Sequence, residues 1–253
     1  MAGESVLTLI SKVGSLFSIP IRFSDRLLEP STGFTKPKLQ QGFTLEVGCG
    51  YGRYLDTIDR MGGKVVGIDL STHSIELAGD FVGDRPNVNL VQADLYRLPF
   101  RHESFDRVFS WGVLHHTPNT QESFRAIVPY AKSSGDVSIW VYPPEMKKVT
   151  DIYRKITTKL PHDTLYRFCI ANQVLFSWIR ALPGGWRFSK IIPGAQPHKD
   201  RPFWQRVLSD FDNYSPKHAY SHTAEEVFDW FVSEGLINVR VLERATSVTG
   251  QKP

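Results

Sequence analysis

Three acids and a glycine loop carry the chemistry this sequence displays first. Glu46 stands just before Gly48-Cys49-Gly50-Tyr51-Gly52, a GxGxG run between an apolar segment and an amphipathic one. Glycines let the backbone turn tightly and approach a ligand, and the first N–H groups of a helix are open to it. A carboxylate beside such a loop suits a ligand with a cationic amino-acid end and repels a pyrophosphate. Asp69, in Val65-Val66-Gly67-Ile68-Asp69-Leu70-Ser71, follows about 20 residues on, where a carboxylate accepts ribose hydroxyls. Its bland alternative is the N-cap of the next helix. Asp94, in Gln92-Ala93-Asp94-Leu95, is placed to accept from an adenine amino group, with the Leu95 N–H on the ring; the alternative is a simple turn acid.

The candidates for moving a proton lie further on. Trp111-Gly112-Val113-Leu114-His115-His116-Thr117-Pro118 puts two histidines after an apolar run, and a base is needed only where a nucleophile must lose a proton. His116, next to Thr117-Pro118, is preferred over His115; the other reading has either ring merely packed or bonded to backbone. Neither histidine has metal-ligand spacing, so no metal is expected. Asp212 and Tyr214, in Phe211-Asp212-Asn213-Tyr214-Ser215-Pro216, and then His222, form a second cluster. Its alternative is a polar loop with an Asx turn and a helix cap. Tyr142 is a further pocket candidate, or a core-edge aromatic.

The elements that must position these residues are legible in the hydropathy pattern. Apolar runs at Phe43–Val47, Lys64–Ile68, Val88–Gln92, Phe105–Ser110 and Gly135–Tyr142 alternate with helical stretches near 52–61, 72–82 and 120–132. Such alternation predicts an α/β fold, a doubly wound, mostly parallel sheet with helices on both faces. Asp69 and Asp94 then fall at one sheet edge, where ligands bind in open α/β sheets.

The alternation stops at Pro143-Pro144. Residues 143–220 hold 13 Lys and Arg against 6 Asp and Glu, with helical stretches around 146–160 and 164–181 and a Pro/Gly-rich passage from Pro183. Ser221 or Thr223 then caps a helix over Ala224–Glu234, and Ile237–Leu242 and Ser247–Gly250 close the pattern as strands. The expected organisation is an N-terminal helical segment (1–40), a Rossmann-like core (41–142 and 221–253) and a helical lid (143–220). An insert at that point recognises substrate and excludes water. Tyr153 and Arg154 in it are candidate substrate contacts, and its charge favours an anionic or amphipathic acceptor. A solvated basic face is the other reading.

Glu-Val-Gly-Cys-Gly-x-Gly, Val-Gly-Ile-Asp-Leu-Ser, Gln-Ala-Asp-x-x-x-Leu-Pro-Phe and Ser-Phe-Asp-x-Val-x-Ser-x-Gly-Val-Leu-His-His, in this order, resemble the motifs of class I S-adenosylmethionine-dependent methyltransferases. The nearest texture is the type 11 group that includes ubiquinone/menaquinone-pathway and natural-product enzymes. The resemblance covers about residues 43–142, and the tail from 222 fits the same seven-stranded fold. It implies that Glu46, Gly48, Cys49, Gly50 and Gly52 hold the methionine end of S-adenosylmethionine, Asp69 the ribose, and Asp94 with Leu95 the adenine. Leu70 and Ser110 complete the expected cofactor contacts, and S-adenosylhomocysteine is the expected product. It also implies a histidine bordering the methyl donor and a reversed hairpin at the end of the sheet.

The expected acceptor is a small molecule, methylated by preference on oxygen. A nucleic-acid methyltransferase would need a basic track, which the lid could supply, but no RNA module or Asn-Pro-Pro-Tyr type motif is present. A cofactor-binding scaffold would have no need of Glu46, Asp69 and Asp94 together. A nicotinamide dehydrogenase is disfavoured by Glu46 and the glycine spacing. The net charge of +4 does not by itself imply nucleic acid. Cys49 and Cys169 form no CxxC, which argues against zinc or a disulfide framework and for a cytoplasmic setting. The N-terminus has no basic n-region, so a signal peptide is not expected, and no stretch is long and apolar enough to span a bilayer. Val174–Ile179 leaves room for peripheral membrane contact.

Overall fold

A computed structural model describes residues 21–144, 150–181 and 203–253. The expected signal-free N-terminus and the Pro/Gly passage from Pro183 lie outside the described residues. The described chain falls into two compact units, one from residues 21–144 and 220–253 and one from 150–181 and 203–219.

The first unit is built on a seven-stranded sheet, order β3-β2-β1-β4-β5-β7-β6. Its strands are β1 (Phe43–Val47), β2 (Lys64–Asp69), β3 (Val88–Gln92), β4 (Phe105–Trp111), β5 (Ala131–Trp140), β6 (Ile237–Val241) and β7 (Ser247–Gln251). The first five pair in parallel, and β7 runs antiparallel to both its neighbours. Parallel strands are buried on both faces and read as continuous apolar runs, which is why β1, β2 and β4 stand out in the sequence.

Helices α1 (Ile21–Thr32), α2 (Lys36–Leu39), α3 (Arg53–Arg60), α4 (Thr72–Val82), α5 (Thr120–Ile127) and α9 (Ala224–Ser233) belong to this unit. Leu28, Leu39, Tyr54, Ile58, Phe109 and Trp111 form the core on one face of the sheet. Leu45, Val108, Phe124, Val137, Val227 and Phe231 form it on the other. Period-2 alternation sorts them: Val108 goes to one face, Phe109 and Trp111 to the other. Thr223 caps α9 in a full capping box with Glu226, deciding between the two expected caps.

Two boundaries differ from the sequence expectation. The stretch 120–132 is not one helix: α5 ends at Ile127, residues 128–130 form a 3-10 turn, and β5 starts at Ala131. Pro129 has no N–H for an α-helical bond and forces the change. Phe211–Tyr214, for which a polar loop was the alternative to a site cluster, is the last turn of a helix.

That helix, α8 (Phe203–Tyr214), packs in the second unit with α6 (Thr150–Thr157) and α7 (His162–Ala181). Leu165, Tyr166, Cys169, Val207 and Tyr214 are its core. The amphipathic spacing of 203–214 buries Val207, Asp210 and Tyr214 on one side.

Candidate active site

β1 delivers Glu46 to the sheet edge. Its side chain faces the helix layer of α3, alongside Phe109 of β4 with which it is in register. The residue is 2% exposed, and Oε2 has no hydrogen-bond partner among the described residues. Burial pushes its carboxyl well above the usual carboxylate range; Arg53 nearby opposes this and Asp69 adds to it. A buried acceptor without a donor is costly, and an ammonium group supplies both the missing charge and the missing donors.

The glycine loop turns immediately after. Gly48 has φ +80°, and a Cβ there would lie 2.4 Å from Cγ2 of Val113. Only glycine lets the loop lie against the segment after β4. Gly50, φ +54°, has open space where a Cβ would go. The loop is fastened from two sides: Gly48 and Cys49 N–H groups donate to the Ile68 carbonyl at 2.8 and 2.9 Å. Gly50 N–H donates to Asp69 Oδ2 at 3.0 Å. Gly52 then caps α3. The Cys49 thiol is buried, which pushes its pKa up.

Asp69 ends β2, and its other oxygen accepts the Ser71 N–H at 2.9 Å. It is not the helix cap; Ser71 is, accepting from Ser74 N–H. Each Asp69 oxygen retains a second lone pair for a ligand. Leu70 beside it is 70% exposed, an apolar side chain displayed at the edge. Asp94 makes an Asx turn to the Tyr96 N–H at 3.0 Å, and Leu95 packs partly on the core. Register places these residues together, since Asp69 pairs with Gln92. Ser110 differs from its expected role as a ligand contact: it is buried, and its hydroxyl donates to the Val47 carbonyl at 2.8 Å, bracing the end of β1.

After β4, Leu114–His116 form a 3-10 turn that holds both histidines. His115 is fully buried, its ring 3.9 Å from that of Tyr142 at the end of β5. His116 is half-buried, 4.1 Å from the His115 ring and 5.4 Å from that of Tyr142. The chain then returns to the same place: Tyr220 N–H donates to the His115 carbonyl, and His222 N–H to the Tyr142 carbonyl, both at 2.9 Å. The His222 Nε2 lies 3.0 Å from Thr120 Oγ1, and the ring packs 4.7 Å from Trp230. Structure thus brings His115, His116, Tyr142 and His222 together, as four sequence candidates at one sheet edge.

The other candidates lie in the second unit. Tyr214 is buried in that unit's core, stacked on Tyr153 at 6.2 Å, and burial drives its hydroxyl pKa up. Arg154 is buried too, its Nε donating to the Asn213 carbonyl at 2.7 Å. Tyr214, expected as a catalytic group, and Arg154, expected as a substrate contact, are thus both buried against neighbouring helices, while Tyr153 is half-buried. Asp212 lies on α8, and its side chain is outside the described set.

An aromatic shelf was missed in the sequence. Trp111 and Trp140, at the ends of β4 and β5, stack at 4.8 Å, and the Arg244 guanidinium lies over both, 5.0 and 4.6 Å from their centroids. Tyr54 packs edge-on against Trp111 at 5.5 Å, and burial pushes its hydroxyl up to about 12. Its hydroxyl has no hydrogen-bond partner among the described residues. The two tryptophans share register 111↔140, a signal visible only once the strands are paired. Among the described residues no three His, Cys, Asp or Glu side chains come together as a metal site.

Residues 45–139 match the methyltransferase domain family. The chain is 31% identical over 117 residues to the tRNA (carboxymethyluridine(34)-5-O)-methyltransferase of Saccharomyces cerevisiae, covering 45% of this chain and 40% of that protein. It is 31% identical over 101 residues to the ubiquinone biosynthesis O-methyltransferase of Albidiferax ferrireducens, covering 39% of this chain and 38% of that one. The chain spans less than half the length of these curated relatives. The phosphoethanolamine N-methyltransferase 2 of Haemonchus contortus, solved with phosphomonomethylethanolamine and S-adenosylhomocysteine, shares the fold at TM-score 0.51 and 18% identity. That likeness covers 87% of this chain and 38% of that one.

Proposed function

Because residues 45–139 form a class I S-adenosylmethionine-dependent methyltransferase domain, we propose that this chain transfers the methyl group to a hydroxyl of a small, anionic acceptor. The observation that carries the cofactor reading is Glu46, a buried carboxylate with one orphaned oxygen beside a glycine loop. The residues fit the cofactor: Glu46 receives the ammonium, Asp69 the ribose hydroxyls through its remaining lone pairs, and Leu70 and Asp94 the adenine side.

When bound, S-adenosylmethionine supplies a methyl group already activated on a sulfonium. The protein's task is to place a nucleophile in line with it and keep water out. His116, half-buried beside Tyr142, would take the acceptor hydroxyl proton on a ring nitrogen. His115 holds the 3-10 turn from below by its contact with Tyr142. His222, tied to Thr120 and to the Tyr142 backbone, fixes the far wall.

Titration with S-adenosylmethionine, S-adenosylhomocysteine and NADH tests the cofactor reading. Binding of the first two and none of NADH is expected; failure of both adenosyl ligands overturns it. A second reading, methylation of tRNA, is favoured by the similarity to the yeast tRNA methyltransferase and by the basic charge of residues 143–220. The family match ends at residue 139, before that segment begins. Incorporation of labelled methyl into total tRNA, against a panel of phosphorylated and carboxylated small hydroxyl compounds, separates the two.

A further inference from the structure

The second unit carries two exposed helix faces of the same character. On α6, Ile152, Lys155 and Ile156 are exposed and spaced i, i+3, i+4, so they share one face, and Lys159 is exposed in the turn that follows. The two isoleucines are 63% and 68% exposed. On α7, Arg167, Phe168, Ala171, Val174, Leu175 and Trp178 form a second exposed stripe at the same spacing. Trp178 is 74% exposed and Leu175 57%. The opposite sides of these helices are already used: Leu165, Tyr166 and Cys169 are buried in the unit's core. Isolated surface leucines are ordinary, but repeated apolar stripes on both helices are not.

We infer that these faces of α6 and α7 form a docking surface for a lipid bilayer with anionic headgroups. Aliphatic side chains enter the headgroup–acyl boundary, a tryptophan sits at that boundary, and Lys and Arg on the same faces meet lipid phosphates. Neither the apolar nor the basic component alone gives stable attachment; together they do. The charge is complementary throughout: Lys155, Lys159 and Arg167 interleave with the apolar residues, and Asp163 at the start of α7 is the sole exposed acid on the described parts of these two helices. A second copy of this chain fits less well, because a two-fold contact through either face sets its own cations against each other. RNA fits less well, since Ile152, Ile156, Val174 and Leu175 offer neither charge nor a stacking plane to it.

The test uses the whole chain and sedimentation with vesicles, of phosphatidylcholine alone or with an equal share of phosphatidylglycerol. Binding to the mixed vesicles, weakened by salt and slight on the neutral ones, is expected. Leu175→Ser with Trp178→Ser weakens binding about tenfold or more, since both lose apolar area, and Lys155→Glu with Lys159→Glu weakens it comparably. All four positions are exposed, and retained S-adenosylhomocysteine affinity and Tm show that each variant is folded. No binding to either vesicle, or binding that both variants leave unchanged, overturns the inference. So does a concentration-dependent dimer abolished by the serine pair, which assigns the face to a second copy. Loss of tRNA binding in the glutamate pair, with vesicle binding intact, overturns it in favour of RNA.

Discussion

Asp69 reaches back 19 residues to accept the Gly50 N–H at 3.0 Å, so the acid at the end of β2 holds the glycine loop as well as facing the ligand edge. Under the proposed function this one carboxylate serves two purposes, and substitutions test the pair. Asp69→Ala loses both and weakens S-adenosylmethionine binding about tenfold or more. Asp69→Asn keeps a carbonyl oxygen for Gly50 and falls between. Calorimetry gives the affinities, and amide exchange at Gly50 reports the loop; equal affinity in wild type and Asp69→Ala would falsify the assignment.

Glu46 predicts opposite effects on stability and binding. Burial raises its pKa in the folded chain above the ordinary 4.5. Between 4.5 and the raised value the unfolded chain holds fewer protons, so stability falls as pH rises through that window. Glu46→Gln removes this fall and raises Tm at neutral pH without ligand. The same variant loses S-adenosylmethionine affinity, and the wild type binds more tightly as pH rises through the window. Thermal melts and titrations across pH, with and without ligand, check both signs.

The Gly48–Val113 contact can be dissected by a paired substitution. Gly48→Ala drives a Cβ into Val113 and places a non-glycine residue at φ +80°, costing about 2 kcal/mol or more. Val113→Ala removes both γ-methyl groups but leaves its own Cβ 2.8 Å away, and the backbone strain remains. The double variant therefore recovers part of the urea stability lost by Gly48→Ala; full recovery, or none, contradicts this account.

The two histidines separate turnover from stability. His116→Ala lowers kcat for O-methylation far more than it lowers S-adenosylmethionine affinity. Activity within a few-fold of wild type would mean that positioning alone carries the reaction. His115→Ala, at a fully buried position against Tyr142, costs about 2 kcal/mol of stability through the cavity it leaves. Urea denaturation and steady-state kinetics on the same preparations distinguish the roles.

The parallel strands and the acids at their ends were legible because burial on both faces writes continuous apolar runs, with a polar residue where each run meets the edge. Asp69 and Asp94 follow from that rule, while Glu46, inside its run, stood out by the glycines that come after it. The α5–β5 junction was not, because the 3.6-residue pattern of 120–132 continues past Pro129 while the backbone cannot. The shelf of Trp111, Trp140 and Arg244 was hidden for another reason. Its members are 29 and 104 residues apart along the chain, and only the β4–β5 register and the β6–β7 turn bring them together. Tyr214 illustrates the reverse: its polar neighbours suggested a loop, yet the i, i+4, i+7 spacing of Val207, Phe211 and Tyr214 belongs to a helix.

The core leaves its sheet at Tyr142 and resumes at His222, and a backbone hydrogen bond at 2.9 Å joins those two positions. The intervening segment is therefore a closed loop as far as the sheet is concerned. Loop closure costs grow only with the logarithm of length, about 0.6 kcal/mol per doubling. Replacement, shortening or extension of that segment would tax the fold little while the glycine loop and its acids stay untouched. The arrangement is modular along the chain: Glu46, Asp69 and Asp94 all precede Tyr142, so the segment between Tyr142 and His222 is exchangeable without altering any of them.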